Sequence, residues 1–541
     1  VKNGSAFLSL RPPLWATLLS AWLLLSCCAE IIVWDSNKQM RPPAGDIQHL
    51  AAQVEADLLS TRLPAGGLTI TSPDDNTLFP ADIASPTITW IDRHMLARRW
   101  LISLKFSDGG KPMYVLVSAT SWTPDPQTWE AIKAHSRESD LKLAIHGLAE
   151  EGGGKVVSRQ EITLRTSEDP VGDSIFFRQI PLPFAVASQS FEKTRWRLGD
   201  ISSYGKPQTV MEGLSVCASC HAFSADGKKI SMEYNFNNDN GAQFITEIKA
   251  EIVVTHQDLF SWSDYPRSGF IPPTRGLFGR MSPSGRFAAA SVNEISYAAV
   301  MDDLAYSQLF FPTYGILAVY DTETGQIAAL AGANDSRFVQ ANPTWSPDEK
   351  SLYFCRARSK NEVHADLRHV TTVVETRSIH QLNELYNIQF DIYRLPFNNG
   401  QGGVPEPVEG ASANGMSNYF PRISPDGQWL VYTRSRSGIM LQPDSELWIV
   451  ATAGGQPRRM RCNRPSFNSW HSWSSNGRWL LFSTKANGPY TEIFLTHVDR
   501  EGNDTPPVRL ERFNDPGYAA NVPEFAPIAA DAIRNLRVVE P

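Results

Sequence analysis

A short turn recurs five times along this chain between residues 223 and 480, and it limits the possible folds more than any other feature. The copies are Phe223-Ser-Ala-Asp-Gly-Lys-Lys-Ile, Met281-Ser-Pro-Ser-Gly-Arg-Phe-Ala, Trp345-Ser-Pro-Asp-Glu-Lys-Ser-Leu, Ile423-Ser-Pro-Asp-Gly-Gln-Trp-Leu and Trp473-Ser-Ser-Asn-Gly-Arg-Trp-Leu. Ser-Pro-Asp-Gly is β-turn chemistry: proline presets φ, aspartate bonds its own backbone, and glycine accepts positive φ. A large apolar residue precedes every turn, as packing between neighbouring sheets requires. An apolar strand follows, as in Trp429-Leu-Val-Tyr-Thr and Trp479-Leu-Leu-Phe-Ser. Later in several units comes a second strand, such as Ile316-Leu-Ala-Val-Tyr-Asp, Asp391-Ile-Tyr-Arg-Leu or Glu446-Leu-Trp-Ile-Val. Units of four strands repeated radially make a β-propeller. The units are longer than a minimal blade, so loops are inserted. The largest insert, about Ser359–Phe390, is polar, charged and partly helical in pattern. A sixth blade can be closed from Trp196–Thr209 and the tail around Asn521-Val-Pro-Glu-Phe, so six blades are expected over residues 195–530.

This repeat resembles the TolB-like propeller repeat of exported bacterial proteins, over roughly residues 195–530. The resemblance is specific for fold and weak for function, because propellers host many activities.

The rest of the chain divides by composition. Residues 65–190 carry seven short apolar or alternating runs: Leu68–Thr71, Thr87–Ile91, Trp100–Phe106, Met113–Val117, Leu141–Ile145, Val156–Leu164 and Ser174–Ile180. Turn clusters such as Ser72-Pro-Asp-Asp-Asn separate them. This spacing predicts a β-sandwich of immunoglobulin or fibronectin type, with one helical insertion at Pro126–Ser136. Residues 31–64 read as a tether with a short helix, since Ile47, Leu50, Val54 and Leu58 fall at helical spacing. The expected fold class is therefore all-β, a sandwich followed by a propeller.

Residues 1–30 read as an export signal. Lys2 and Arg11 give a basic leader, and Leu14–Leu25 is an apolar run too short to span a bilayer. Leu24-Leu25-Ser26-Cys27 resembles a bacterial lipobox, which would make Cys27 the lipid-modified first residue of the mature protein. Ordinary cleavage near Cys28-Ala29 is the alternative. Either reading places the protein outside the cytoplasm, periplasmic or anchored to the outer membrane. The formal charge of −7 offers no basic excess for phosphate contacts, so no nucleic-acid partner is expected.

Six cysteines in 541 residues are too few for a disulfide scaffold, so the position of each matters. Cys217-Ala-Ser-Cys220-His221 matches C-x-x-C-H, the attachment motif of c-type haem. Two thiols would reach the porphyrin vinyl groups, and the adjacent imidazole would ligate the iron. At this chain's Cys and His frequencies, a random match is expected about 0.001 times. A redox dithiol lacks its usual βαβ context here, and a zinc site lacks a second C-x-x-C. A plain Cys217–Cys220 disulfide is the remaining alternative. Cys355, in the apolar strand Tyr353-Phe-Cys, reads as a buried thiol, and Cys462, after Arg458-Arg-Met-Arg, could pair with it only if the fold brings them close.

The repeat register suggests a sixth ligand. His221 and His471 each lie three residues before a turn serine, so both are expected to face the central funnel. His471 is one candidate distal ligand. Met416, in the loop Asn414-Gly-Met-Ser-Asn-Tyr, is the rival. The combination of signal, sandwich, C-x-x-C-H and repeats is similar to a group of exported bacterial cytochrome-c-like propeller proteins. That resemblance rests on Phe177-Arg-Gln-Ile-Pro-Leu-Pro-Phe, Cys217-Ala-Ser-Cys-His-Ala-Phe-Ser-Ala-Asp-Gly and Asn468-Ser-Trp-His-Ser-Trp-Ser. It implies one haem c and no assigned reaction. Three functions follow as expectations: electron transfer with redox partner proteins, a haem-dependent oxidoreductase acting on a small substrate in the funnel, or a non-redox propeller that binds envelope partners.

Overall fold

The computed structural model describes residues 44–60, 67–149, 155–183, 190–267, 274–300, 303–306, 308–359 and 387–539, with residues 187, 373–375 and 384 besides. The expected export signal, Cys27 and most of the insert between 359 and 390 lie outside the described residues. The chain is nearly all β, with two α-helices of more than two turns among the described residues. It forms two compact units. One holds Val1–Thr69, Trp90–Trp122 and Ser139–Glu161; the other holds Ile70–Thr89, Thr123–Glu138 and Ile162–Pro541.

In the first unit, strands Ala97–Phe106, Met113–Val117 and Leu141–Ala149 pair antiparallel, with Ala97–Phe106 in the middle. The helix Ala44–Ser60 lies on this sheet. Ile47, Ala51 and Val54 are buried against Leu101, Tyr114, Leu148 and Val156. Residues 44–60 are thus a folded part of this unit and not a tether. An apolar face at helical spacing is removed from water only by packing against something.

Among its described residues the second unit holds four four-stranded antiparallel sheets and a nine-stranded one, in which two antiparallel groups, starting at Arg280–Met281 and Phe338–Trp345, are joined by one parallel bridge between Gly315 and Val339. Three of the four-stranded sheets are built in chain order, starting at Ala218–Phe223, Ser417–Ile423 and Asn468–Trp473. The remaining sheet is a composite. Its first strand is Tyr518–Ala526, from near the end of the chain, and its others are Ser174–Pro181, Arg195–Gly199 and Gln208–Met211. The strands Ala218–Phe223, Arg280–Met281, Phe338–Trp345, Ser417–Ile423, Asn468–Trp473 and Tyr518–Ala526 contact one another in a closed cycle. This is a β-propeller ring in which a strand from near the end of the chain completes the sheet that begins at Ser174.

The ring corrects one expected boundary. Ser174–Ile180 reads as a sandwich strand, yet it pairs with Tyr518–Ala526 and Arg195–Gly199 in the propeller. A short apolar run reports that a strand is buried, as this one is on both faces, and not which sheet buries it. The helix Pro126–Ser136 forms where its period places it. Asp125 caps it by accepting from the Gln127 and Thr128 amides, and Trp129 Nε1 donates to the Ile83 carbonyl at 2.8 Å.

The turns hold through their serines. Ser424 Oγ accepts from the Trp429 amide at 2.9 Å and donates to Asp426. Ser224, Ser346 and Ser474 repeat this pattern with Lys229, Ser351 and Trp479. The hydroxyl thereby closes the turn across five residues.

Candidate functional site

The four residues before each turn occupy fixed levels along the ring's axis, and each level has its own chemistry. Four residues before the turn stand Cys220, Phe278, Asn342, Phe420 and Trp470, with Val522 at the matching place in the closing strand. Five of these six have φ between 50° and 60°; Cys220 is the exception. A register break accompanies this position in five first strands, as between Tyr419 and Arg422 or Ser469 and Ser472. These are β-bulges, which bend a strand and re-aim its side chains. Here they turn aromatic residues onto the axis. Phe278 meets Phe420 at 4.9 Å, and Phe420 meets Trp470 at 5.1 Å between ring centroids. The result is an apolar plug, against which Cys220 also packs.

One residue further on stand His221, Gly279, Pro343, Pro421, His471 and Pro523. Both histidines were expected to face the funnel, and both instead enter seams between sheets. His471 Nε2 lies 3.1 Å from the Val431 carbonyl of the preceding sheet. His221 packs edge-on against Phe176, its ring 4.6 Å away. Burial pushes the pKa of His471 down to about 3 and that of His221 to about 4, so both are neutral at pH 7. Among the described residues, neither ring nitrogen of His221 has a hydrogen-bond partner.

The residues of the C-x-x-C-H motif do not fit a haem as they are arranged. A haem needs both thiols and the imidazole on one side, but the bulge within Ala218–Phe223 sends Cys220 and His221 in different directions. Cys220 faces the plug and His221 faces Phe176. Burial raises both thiols, which favours the protonated form. Met416 lines a different cleft, with Arg436, Asp444 and Arg464. Among the described residues, no three His, Cys, Asp or Glu side chains are grouped to hold a metal ion. Cys355 and Cys462 are both buried and free, so they are not paired with each other.

The concentration of charge lies beyond the plug, at the level two residues before the turn. There stand Ala222, Arg280, Thr344, Arg422, Ser472 and Glu524. All but Ala222 line a cavity of about 260 Å³ that opens towards the turns. The next level forms its wall: Phe223, Met281, Trp345, Ile423, Trp473 and Phe525. The indoles fix the arginines in place. Trp345 Nε1 donates to the Arg280 carbonyl at 3.1 Å, and Trp473 Nε1 to the Arg422 carbonyl at 3.3 Å. Arg280 forks onto Glu524 through both Nη atoms. Sequence reasoning overlooked Arg280, Arg422 and Glu524. The signal was available, since aligning the copies on their turn serines places one arginine at the same offset in two of them.

No family model and no curated protein matches the sequence. The chain is similar to several solved structures. TolB from Acinetobacter baumannii aligns over 85% of this chain and 99% of its own, with 13% identity and a TM-score of 0.40. An oligogalacturonate lyase in complex with manganese aligns over 57% and 70%, with 13% identity and a TM-score of 0.34. Hydrazine synthase of Kuenenia stuttgartiensis aligns over 56% and 70%, with 13% identity and a TM-score of 0.30.

Proposed function

We propose that this protein is a binding propeller of the cell envelope, whose ligand enters the funnel from the side of the turns. The observation that carries this reading is the cavity itself, walled by one apolar residue from each of six strands and floored by Arg280, Arg422 and Glu524. A concave, mostly apolar site with a few convergent polar groups is the usual form of a binding pocket. The envelope location rests on the basic, apolar leader at residues 1–30.

A thermal-shift panel of neutral, cationic and anionic small molecules and short peptides tests this. At least one class is expected to raise the melting temperature. Ala225→Trp, at an exposed rim position, is expected to abolish that response. The reading fails if no class stabilises the protein, or if stabilisation survives the blocked rim.

A second reading, a monohaem electron-transfer protein, is favoured by the C-x-x-C-H motif and by the two unpartnered nitrogens of His221. It requires the strand Ala218–Phe223 to rearrange, so that Cys217, Cys220 and His221 share one side. A haem stain and absorption spectrum after expression with a haem-attachment system decide it. Loss of the signal in Cys217→Ala and Cys220→Ala would support it, and an unstained wild type would end it.

A further inference from the structure

The funnel floor holds more positive charge than its own carboxylate neutralises. Arg280 is satisfied by Glu524. Arg422 makes no ion pair within 4 Å among the described residues. Its Nη1 donates to the carbonyl of its own neighbour Pro421 at 3.1 Å, and its Nε has no partner among the described residues. Burial and the nearby Arg280 push its guanidinium down to about 9, so it still carries charge at pH 7. Its acidic neighbour Glu524 is already forked onto Arg280, so the half-buried Arg422 guanidinium shares one carboxylate with a second cation and leaves a place for an anion. The Trp473 indole holds the Arg422 carbonyl, and the side chain lines the funnel, where a ligand entering from the turns meets it.

We propose that the funnel is a carboxylate-binding site, in which Arg422 receives the ligand's carboxylate and the apolar wall receives the group attached to it. This rests on reading the protein as a binding propeller. The chemistry is narrowed from three directions. Two arginines and one glutamate leave a formal surplus of one positive charge, which a monoanion neutralises. Glu524 stands beside Arg280 on the same floor and repels a dianion such as phosphate. Phe223, Met281, Trp345, Ile423, Trp473 and Phe525 form the wall, and they match an aromatic or aliphatic body rather than a sugar or a polyamine. A guanidinium is also the side chain best matched to a planar carboxylate. The carboxylate can belong to a small free acid or to the last residue of a peptide with an apolar end.

The test is calorimetric titration of the full chain with four probes. These are 3-phenylpropionate, its neutral amide, a pentapeptide ending in phenylalanine with a free carboxyl, and the same peptide amidated. One of the two acids is expected to bind at least tenfold more tightly than its amide, and which one identifies the source. In Arg422→Met that acid is expected to lose at least tenfold in affinity, while Arg422→Lys retains part of it. The amide controls use the wild-type protein, so the comparison stands even if Arg422→Met folds poorly. Equal binding of acid and amide, or unchanged binding in a folded Arg422→Met, overturns the proposal. So does a panel in which neutral or cationic compounds stabilise the protein and acids do not, and in that case the binding reading survives. If nothing binds, both fall together.

Discussion

Glu294 shows how much a single buried group can govern. It sits in the strand Phe287–Val300, where its Oε1 accepts from the Arg275 amide at 2.8 Å. Burial pushes its pKa up to about 7 from an ordinary 4.5. Arg275 opposes the rise and Glu233 adds to it. Between these two values the folded state keeps a proton that the unfolded state releases. Stability is therefore lost as pH rises through that window, by about 3 kcal/mol for this group. His221 and His471 slope the other way below pH 6.5, because burial holds both neutral. The informative quantity is thus a difference between proteins. Glu294→Gln should gain stability relative to wild type between pH 5 and pH 7, read from urea midpoints at both values. Single residues were also where the sequence was hardest to read. The chemistry of C-x-x-C-H was plain, but the direction of each side chain was not. A bulge four residues before the turn reverses which residue meets the axis, and nothing in the pattern of apolar residues records it.

At the scale of the element, legibility was much better. The strand Met113–Val117 and the helix Pro126–Ser136 form within the bounds that their periods gave. The turns form where Ser-Pro-Asp-Gly places them, because each residue of that motif has a local reason to bend the chain. The role of the serine was less evident. Sequence reasoning credited proline, aspartate and glycine, whereas Ser424 Oγ is the atom that accepts the Trp429 amide and reaches Asp426. Removing it leaves a buried amide without its acceptor. Ser424→Ala is expected to cost about 1–2 kcal/mol, measured by chemical denaturation. Ser424→Thr should recover part of that loss, since it restores the hydroxyl. Gly227 constrains a turn in a different way. Its φ is +67°, and a Cβ there would collide with the Pro527 carbonyl, which belongs to the closing strand's continuation. That one contact ties the first turn to the end of the ring.

For the whole molecule, the sequence revealed the ring but misplaced its beginning. The strand Ser174–Pro181 lies before the repeats and shares no turn motif with them, so no local signal assigns it to the propeller. Its membership depends on a partner far along the chain. Gln179 Nε2 donates to the Phe513 carbonyl, 334 positions away, and Ser174 Oγ to the Ile528 carbonyl, 354 positions away. Arg195, Arg197 and Lys206 all converge on Asp515 to reinforce the same join. Deleting residues 518–541 should therefore do more than shorten the protein. The expected outcome is loss of a single cooperative melting transition and appearance of aggregation, checked by calorimetry and size-exclusion chromatography. The same join also sets an order in time. A ribosome adds about 5–20 residues per second, so the closing strand emerges on the order of half a minute after Ser174–Pro181. Throughout that interval Phe176 and Phe177 sit on an edge with nothing beside it, and a bare edge of this kind invites pairing with another chain. The newborn protein, rather than the finished one, is the form most in need of a chaperone.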